Sequence, residues 1–170
     1  GFTPGESTSL SGMQNGGVFL GMLTVGIAAT GFKIGALRTW VMVGCLGSAT
    51  MLVMIATTGL TDLGFQLVPL VIGLGYFNGV FAVAAIGAMM ALASEGRGQR
   101  EGTRMGLWGA AQAIAFALGG FMGTVAVDVT RFWFNDPAIS YGLVFACEGV
   151  LFLVAASLAR HIHIANWVAD

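Results

Sequence analysis

Five predominantly apolar runs, each long enough to cross about 30 Å of hydrocarbon as a helix, constrain this chain more than any other feature. They cover Ser11–Phe32, Thr39–Gly59, Leu67–Ala93, Met105–Val127 and Tyr141–Ala159. None shows the period-two alternation of a barrel strand, so all are expected to be helices. The third, as a helix of about 40 Å, must tilt or project beyond the bilayer. Composition agrees: 56% of the 170 residues are hydrophobic and 9% charged, where a soluble domain has about 25% charged. The formal net charge of −1 leaves no basic footprint for nucleic acid. The expected fold class is an all-α membrane protein, a polytopic helix bundle with five transmembrane helices.

Basic residues set the expected orientation. Lys33 and Arg38 fall between the first and second runs, Arg97, Arg100 and Arg104 between the third and fourth, and Arg160 after the fifth. Only Arg131 falls on the other side of an alternating path. The positive-inside rule then makes the Arg-rich side and the C-terminus cytoplasmic, and Trp40, Trp108, Trp133 and Trp167 lie near span ends or in the tail, as an aromatic belt requires. The polar stretch Gly5–Ser9 reads as an outer loop, and so does Asp128–Ser140 with Phe132, Trp133 and Phe134. No signal-peptide pattern precedes the first run, and the chain reads as a segment of a longer protein.

Small residues at four-residue spacing supply the expected packing surfaces, since apolar area alone does not associate helices in lipid. They include Gly12/Gly16 and Gly17/Gly21 on the first run and Gly75/Gly79 on the third. The fourth carries Gly102/Gly106, Gly109/Ala113/Ala117 and Gly119/Gly123; such a ribbon is expected to be buried against neighbours. Cys45 and Cys147 lie in apolar runs and read as small buried thiols.

Polar groups within the runs are few: Gln14, Asn15, Asn78, Gln112 and Glu148. Glu148 stands out, because an acid inside a span is costly unless protonated or paired. It reads as a proton-coupling or ligand-contacting acid, as a neutral acid bonded to a neighbouring helix, or as an acid within reach of the outer interface. Arg97, Arg100, Glu101 and Arg104 read either as a docking patch or as charge that retains the loop inside. His161 and His163, two residues apart, would face away from each other on a helix and make a poor metal pair; singly, either reads as a magnesium-porphyrin ligand or as an ordinary interfacial histidine. No H-E-x-x-H, paired metal cysteines, G-x-S-x-G or P-loop occurs, so the chain is expected not to be an enzyme.

The run Gly102–Asp128, containing Gly106-Leu107-Trp108-Gly109-Ala110-Ala111-Gln112 and Gly119-Gly120-Phe121-Met122-Gly123, resembles the bacteriochlorophyll-delivery family of photosynthetic bacteria, the PucC type. So do Tyr141–Ala146 with Glu148, the opening Gly5–Gly12, and Gly16-Gly17. That family is a branch of the major facilitator superfamily. The resemblance implies twelve helices in two halves, with these five as the last, and with the N-terminal half and one further helix lying outside the chain. It implies a light-harvesting complex assembly factor that binds or delivers bacteriochlorophyll to antenna subunits. Its partners would be the lipid bilayer, light-harvesting antenna subunits or a reaction-centre complex, and the N-terminal half of the same protein. Its place would be the bacterial inner, intracytoplasmic photosynthetic membrane. Gly31–Arg38 keeps the glycine and base of the facilitator loop but lacks its Asp. The residues expected to line a pigment site are Gly75, Asn78, Trp108, Gln112 and Glu148, beside Phe77, Phe81 and Phe116. The alternatives are a proton-coupled secondary transporter of a small amphipathic solute, with Glu148 as the coupling acid, and a static structural subunit of a photosynthetic complex.

Overall fold

The computed structural model describes residues 3–32, 34–60, 67–94 and 101–160. The chain is an all-α membrane protein whose helices are α1 (Pro4–Val25), α2 (Leu37–Leu60), α3 (Leu67–Ser94), α4 (Glu101–Phe134) and α5 (Pro137–Ala159). Among the described residues, α2, α3, α4 and α5 are long and apolar enough to cross a membrane. α1 is not among them, because Ser7, Thr8, Ser9, Ser11, Gln14 and Asn15 dilute its apolar character. Lys33, Arg97, Arg100, His161, His163 and Trp167 lie outside the described residues.

Helix ends differ from the sequence expectation for local reasons. The stretch expected as a loop, Gly5–Ser9, forms the first turns of α1. Thr3 caps it: the Glu6 carboxylate accepts from the Thr3 N–H at 2.8 Å and from its hydroxyl at 2.9 Å, and the Glu6 N–H donates back to the Thr3 hydroxyl oxygen at 3.4 Å. This reciprocal capping box, with Pro4 in the first turn, is a strong helix start. These hydrogen bonds hold the Glu6 carboxyl below its ordinary pKa. The hydroxyls of Ser7, Thr8 and Ser11 donate to carbonyls one turn back, so the polar side chains satisfy themselves along the helix.

α1 ends in a π-helical turn, Gly26–Gly31, where the Phe32 N–H donates to the Ile27 carbonyl at 3.2 Å. In the connection to α2, Gly35 takes φ +78°. There the Trp40 indole N–H donates to the Ile34 carbonyl at 2.9 Å. At the far end, α4 continues through Phe134, and the expected loop Asp128–Ser140 shrinks to Asn135 and Asp136. The stop signal sits at that pair: Asn135 adopts φ 53°, and Asp136 caps α5 by accepting from the Ala138 N–H at 2.8 Å.

α1 packs on α3, while α2 lies between α3 and α5. The α1–α3 crossing is reciprocal. A Cβ on Gly17 or Gly21 would enter the Ile72 or Tyr76 carbonyl of α3, and a Cβ on Gly75 or Gly79 would enter the Gln14 or Val18 carbonyl of α1. Across α2–α3, Gly44 faces the Phe81 backbone and Gly47 lies under the Phe77 ring. Val25, Val41, Cys45, Val80, Ala84, Ala156 and Ala159 form one buried cluster, and Leu52, Ile55, Leu70 and Leu74 a second, with Phe152 against both. Cys45 is buried, whereas Cys147 is exposed, so only the first is the buried thiol expected.

The glycine ribbon of α4 behaves otherwise. No residue of α4 is buried, and a Cβ added at Gly102, Gly106, Gly109, Gly119, Gly120 or Gly123 would meet nothing within 4 Å. The expected burial of this ribbon is therefore not found among the described residues. Small-residue spacing records that a helix is able to approach closely, and does not say which helix comes.

Gly21→Ala and Gly79→Ala are each expected to lower the stability of the detergent-solubilised protein by about 1–3 kcal/mol, as overpacking does. Gly5→Ala, with open space around it, should leave the thermal unfolding midpoint unchanged; equal effects at all three positions would refute the crossing.

Candidate functional site

A cavity of about 910 Å³ opens among α1, α2, α3 and α5, with the end of α4 at its edge. That size lies in the upper part of the range of about 300–1,000 Å³ seen for ligand pockets. Its contributing residues come from the first half of α1, the last part of α2, the first half of α3, the end of α4 and the first two thirds of α5. The antiparallel sequence of helices brings these segments to one end of the bundle.

The walls are apolar: Leu52 and Ile55 from α2, Leu67, Val71 and Leu74 from α3, and Tyr141, Phe145 and Phe152 from α5. The Tyr141 and Phe145 rings lie 6.5 Å apart at 28°, forming a flat aromatic strip on α5. Phe152 packs edge-on against Phe81 of α3, with centroids 6.2 Å apart. Arg131, Ser7 and Thr58 line the cavity near helix ends.

Three polar side chains from three different helices join this lining. Gln14, Asn78 and Glu148 all line the cavity, and each sits about 15–17 Å along its helix from that helix's own first residue, by the rise per residue. The Ser48 hydroxyl, wholly buried on α2, donates to Asn78 Oδ1 at 2.8 Å. That bond fixes the amide and leaves its two N–H donors available. Glu148 has no hydrogen-bond or ion-pair partner among the described residues.

Of the residues expected to line a site, Asn78 and Glu148 are brought together in this cavity. Gly75 is not a lining residue. It is buried against the Gln14 backbone, and its contribution is to let α1 approach until Gln14 joins the cavity lining. Trp108 lies elsewhere, in a smaller cavity of about 210 Å³ with Met89, Leu92, Ala93, Arg104 and Met105. There the Arg104 guanidinium donates to the Leu92 and Ala93 carbonyls at 3.2 and 3.3 Å, satisfying the C-terminal end of α3. Gln112 lines neither cavity. Phe77 and Phe81 are spent on helix crossings, and Phe116 is 72% exposed on α4. Sequence alone left Tyr141, Phe145 and Arg131 out of the site and marked Gln14 as a polar group of its run without assigning it there. A signal for α5 was present: Tyr141, Phe145, Glu148 and Phe152 repeat at helical spacing on one face.

A family model described as PUCC protein matches residues 1–167. The chain belongs to the PUCC protein family. It is 61% identical over 169 residues to the bacteriochlorophyll synthase 44.5 kDa chain of Rhodobacter capsulatus, an alignment covering 99% of this chain and 39% of that protein. The chain thus spans well under half the length of this curated relative. No solved structure matches it. The name of the relative overturns the expectation that the chain is not an enzyme, since it designates a chain of a synthase. That expectation rested on the absence of nucleophile, phosphate and metal motifs, and the absence of a motif does not exclude enzyme activity.

Removing the Ser48 hydroxyl tests this polar lining. Ser48→Ala should cost about 0.6–1.7 kcal/mol, the range for interhelical hydrogen bonds in membranes, read as a lower unfolding midpoint. An unchanged midpoint would mean that the bond to Asn78 contributes nothing.

Proposed function

We propose that this PUCC family chain forms the pigment-holding part of a membrane protein that handles bacteriochlorophyll during assembly of light-harvesting complexes. One observation carries the reading: an apolar cavity of about 910 Å³ with a flat aromatic strip on one wall and polar side chains from three helices in its lining. A bacteriochlorophyll is a flat macrocycle with polar edge groups, a central magnesium and a long apolar chain, and it needs such surroundings. The family membership and the bacteriochlorophyll-related name of the Rhodobacter capsulatus relative support the same ligand.

The polar donors of the lining fit the pigment. A carboxylate and amide groups are hard oxygen donors of the kind magnesium takes, and among the described residues neither thiol nor imidazole lines the cavity. Tyr141 and Phe145 offer faces for stacking against a ring. Asn78, held by Ser48, offers N–H groups to a carbonyl on the pigment edge. The apolar walls exclude water from the bound macrocycle.

In this reading α1 with its π turn is a further membrane crossing beside α2–α5, and all five belong to one transmembrane domain completed by an N-terminal half. Arg38, Arg104 and Arg160 then lie at the cytoplasmic end with the C-terminus, and the cavity opens toward the other face of the photosynthetic membrane. Antenna subunits or a reaction-centre complex receive the pigment there.

Full-length protein purified in mild detergent from a pigmented membrane should carry bacteriochlorophyll absorbance and antenna subunits. Ala138→Trp, placed at the exposed mouth of the cavity, should cut bound pigment by about tenfold while leaving the amount of folded protein unchanged. Pigment-free wild-type protein, or full pigment in the variant, would remove the cavity from the function.

A further inference from the structure

Among the described residues lining the cavity, one is a carboxylate, and it is exposed to the cavity space rather than buried in protein. Glu148 sits at the midpoint of α5, about 16 Å from its Pro137 end, and has no hydrogen-bond or ion-pair partner among the described residues. The neighbouring polar groups do not relieve it. Asn78 is bonded to Ser48 through its oxygen at 2.8 Å, and Arg131, the lining cation, belongs to the last turn of α4 near the mouth.

An acid within an apolar lining is costly unless it meets a proton or a positive centre. Carboxylate oxygen is a hard ligand and suits magnesium better than the amide oxygens of Gln14 and Asn78, which carry no charge. Glu148 also shares one face of α5 with Tyr141, Phe145 and Phe152, all of which line the cavity. The one strong oxygen donor is therefore set among the aromatic side chains best suited to a flat ring.

We infer that Glu148 supplies an axial carboxylate oxygen to the central magnesium of the bound pigment, an inference that rests on reading the cavity as a pigment site. Glu148 then makes the cavity selective for the metal-bearing macrocycle. Magnesium-free pigment of the same shape keeps the stacking and apolar contacts and loses this bond.

The test titrates purified full-length protein with bacteriochlorophyll and, separately, with magnesium-free bacteriopheophytin, following absorption and fluorescence quenching. The wild-type protein should bind the magnesium pigment at least about tenfold tighter. Glu148→Leu should weaken the magnesium pigment to the level of the metal-free one and leave the metal-free one unchanged. Glu148→His, which restores a ligand of different character, should restore the preference with a displaced absorption band. Equal affinity of the wild-type protein for both pigments would overturn the ligation while leaving the cavity reading intact, and failure to bind either would overturn both. A preference that survives in Glu148→Leu would assign the bond to another residue and refute the inference. Should Glu148→Leu not fold, the wild-type preference and the band position in Glu148→His decide the matter.

Discussion

Backbone contact between α1 and α3 is the interaction on which the rest of this structure depends. Helices in lipid gain little from burying apolar surface against each other, so they must approach closely enough for dispersion and polar contacts to count. Gly17, Gly21, Gly75 and Gly79 permit that approach reciprocally, each glycine receiving a carbonyl of the opposite helix. The same contact shapes the polar lining of the cavity. With Gly75 lying against the Gln14 backbone, the Gln14 side chain is delivered to the cavity beside Asn78 of α3. A residue expected to touch ligand instead positions one that lines the cavity.

α2 then serves two neighbours at once. Its Gly44 and Gly47 accept Phe81 and Phe77 from α3, and its Ser48 reaches Asn78 from the same side. Gly149 of α5 meets Val53, Ala49 and Leu52 at ordinary van der Waals distance, so the α2–α5 seam is looser than the α1–α3 crossing. The cavity lies toward the end where this seam ends and aromatic side chains replace small ones. Tyr141, Phe145 and Phe152 hold the walls apart where glycine and alanine would draw them together.

Much of this was legible in the sequence. Long apolar runs specify helices because no other backbone arrangement satisfies its own hydrogen bonds in lipid without closing a barrel, and the helical bundle follows. Asn78 and Glu148 were legible for a related reason: a polar side chain in such a run is expensive and must have a use or a partner. Less was legible where two physical rules compete. The polar stretch at Gly5–Ser9 has loop composition, yet the Thr3–Glu6 capping box and back-bonded hydroxyls make it helical. Spacing marked Gly75, Gly79 and the α4 glycines alike, but only the first two meet a neighbour among the described residues. Trp108 and Gln112 were grouped with Glu148 because they share apolar runs and polar or aromatic character. Their helix contributes only its final turns to the cavity, so the grouping fails in space.

The convergence of Gln14, Asn78 and Glu148 on one cavity carries weight because three different helices supply them. α1, α3 and α5 each contribute one of these side chains, about 15–17 Å from the first residue of its own helix. Glue between helices would pair these groups with each other, as Ser48 pairs with Asn78. Instead Glu148 faces a cavity without a protein partner among the described residues. A bundle that needed only to hold together would replace that acid with leucine and gain stability. Keeping a solitary carboxylate beside stacked aromatic rings makes physical sense when something with a positive centre and a flat body occupies the space between them.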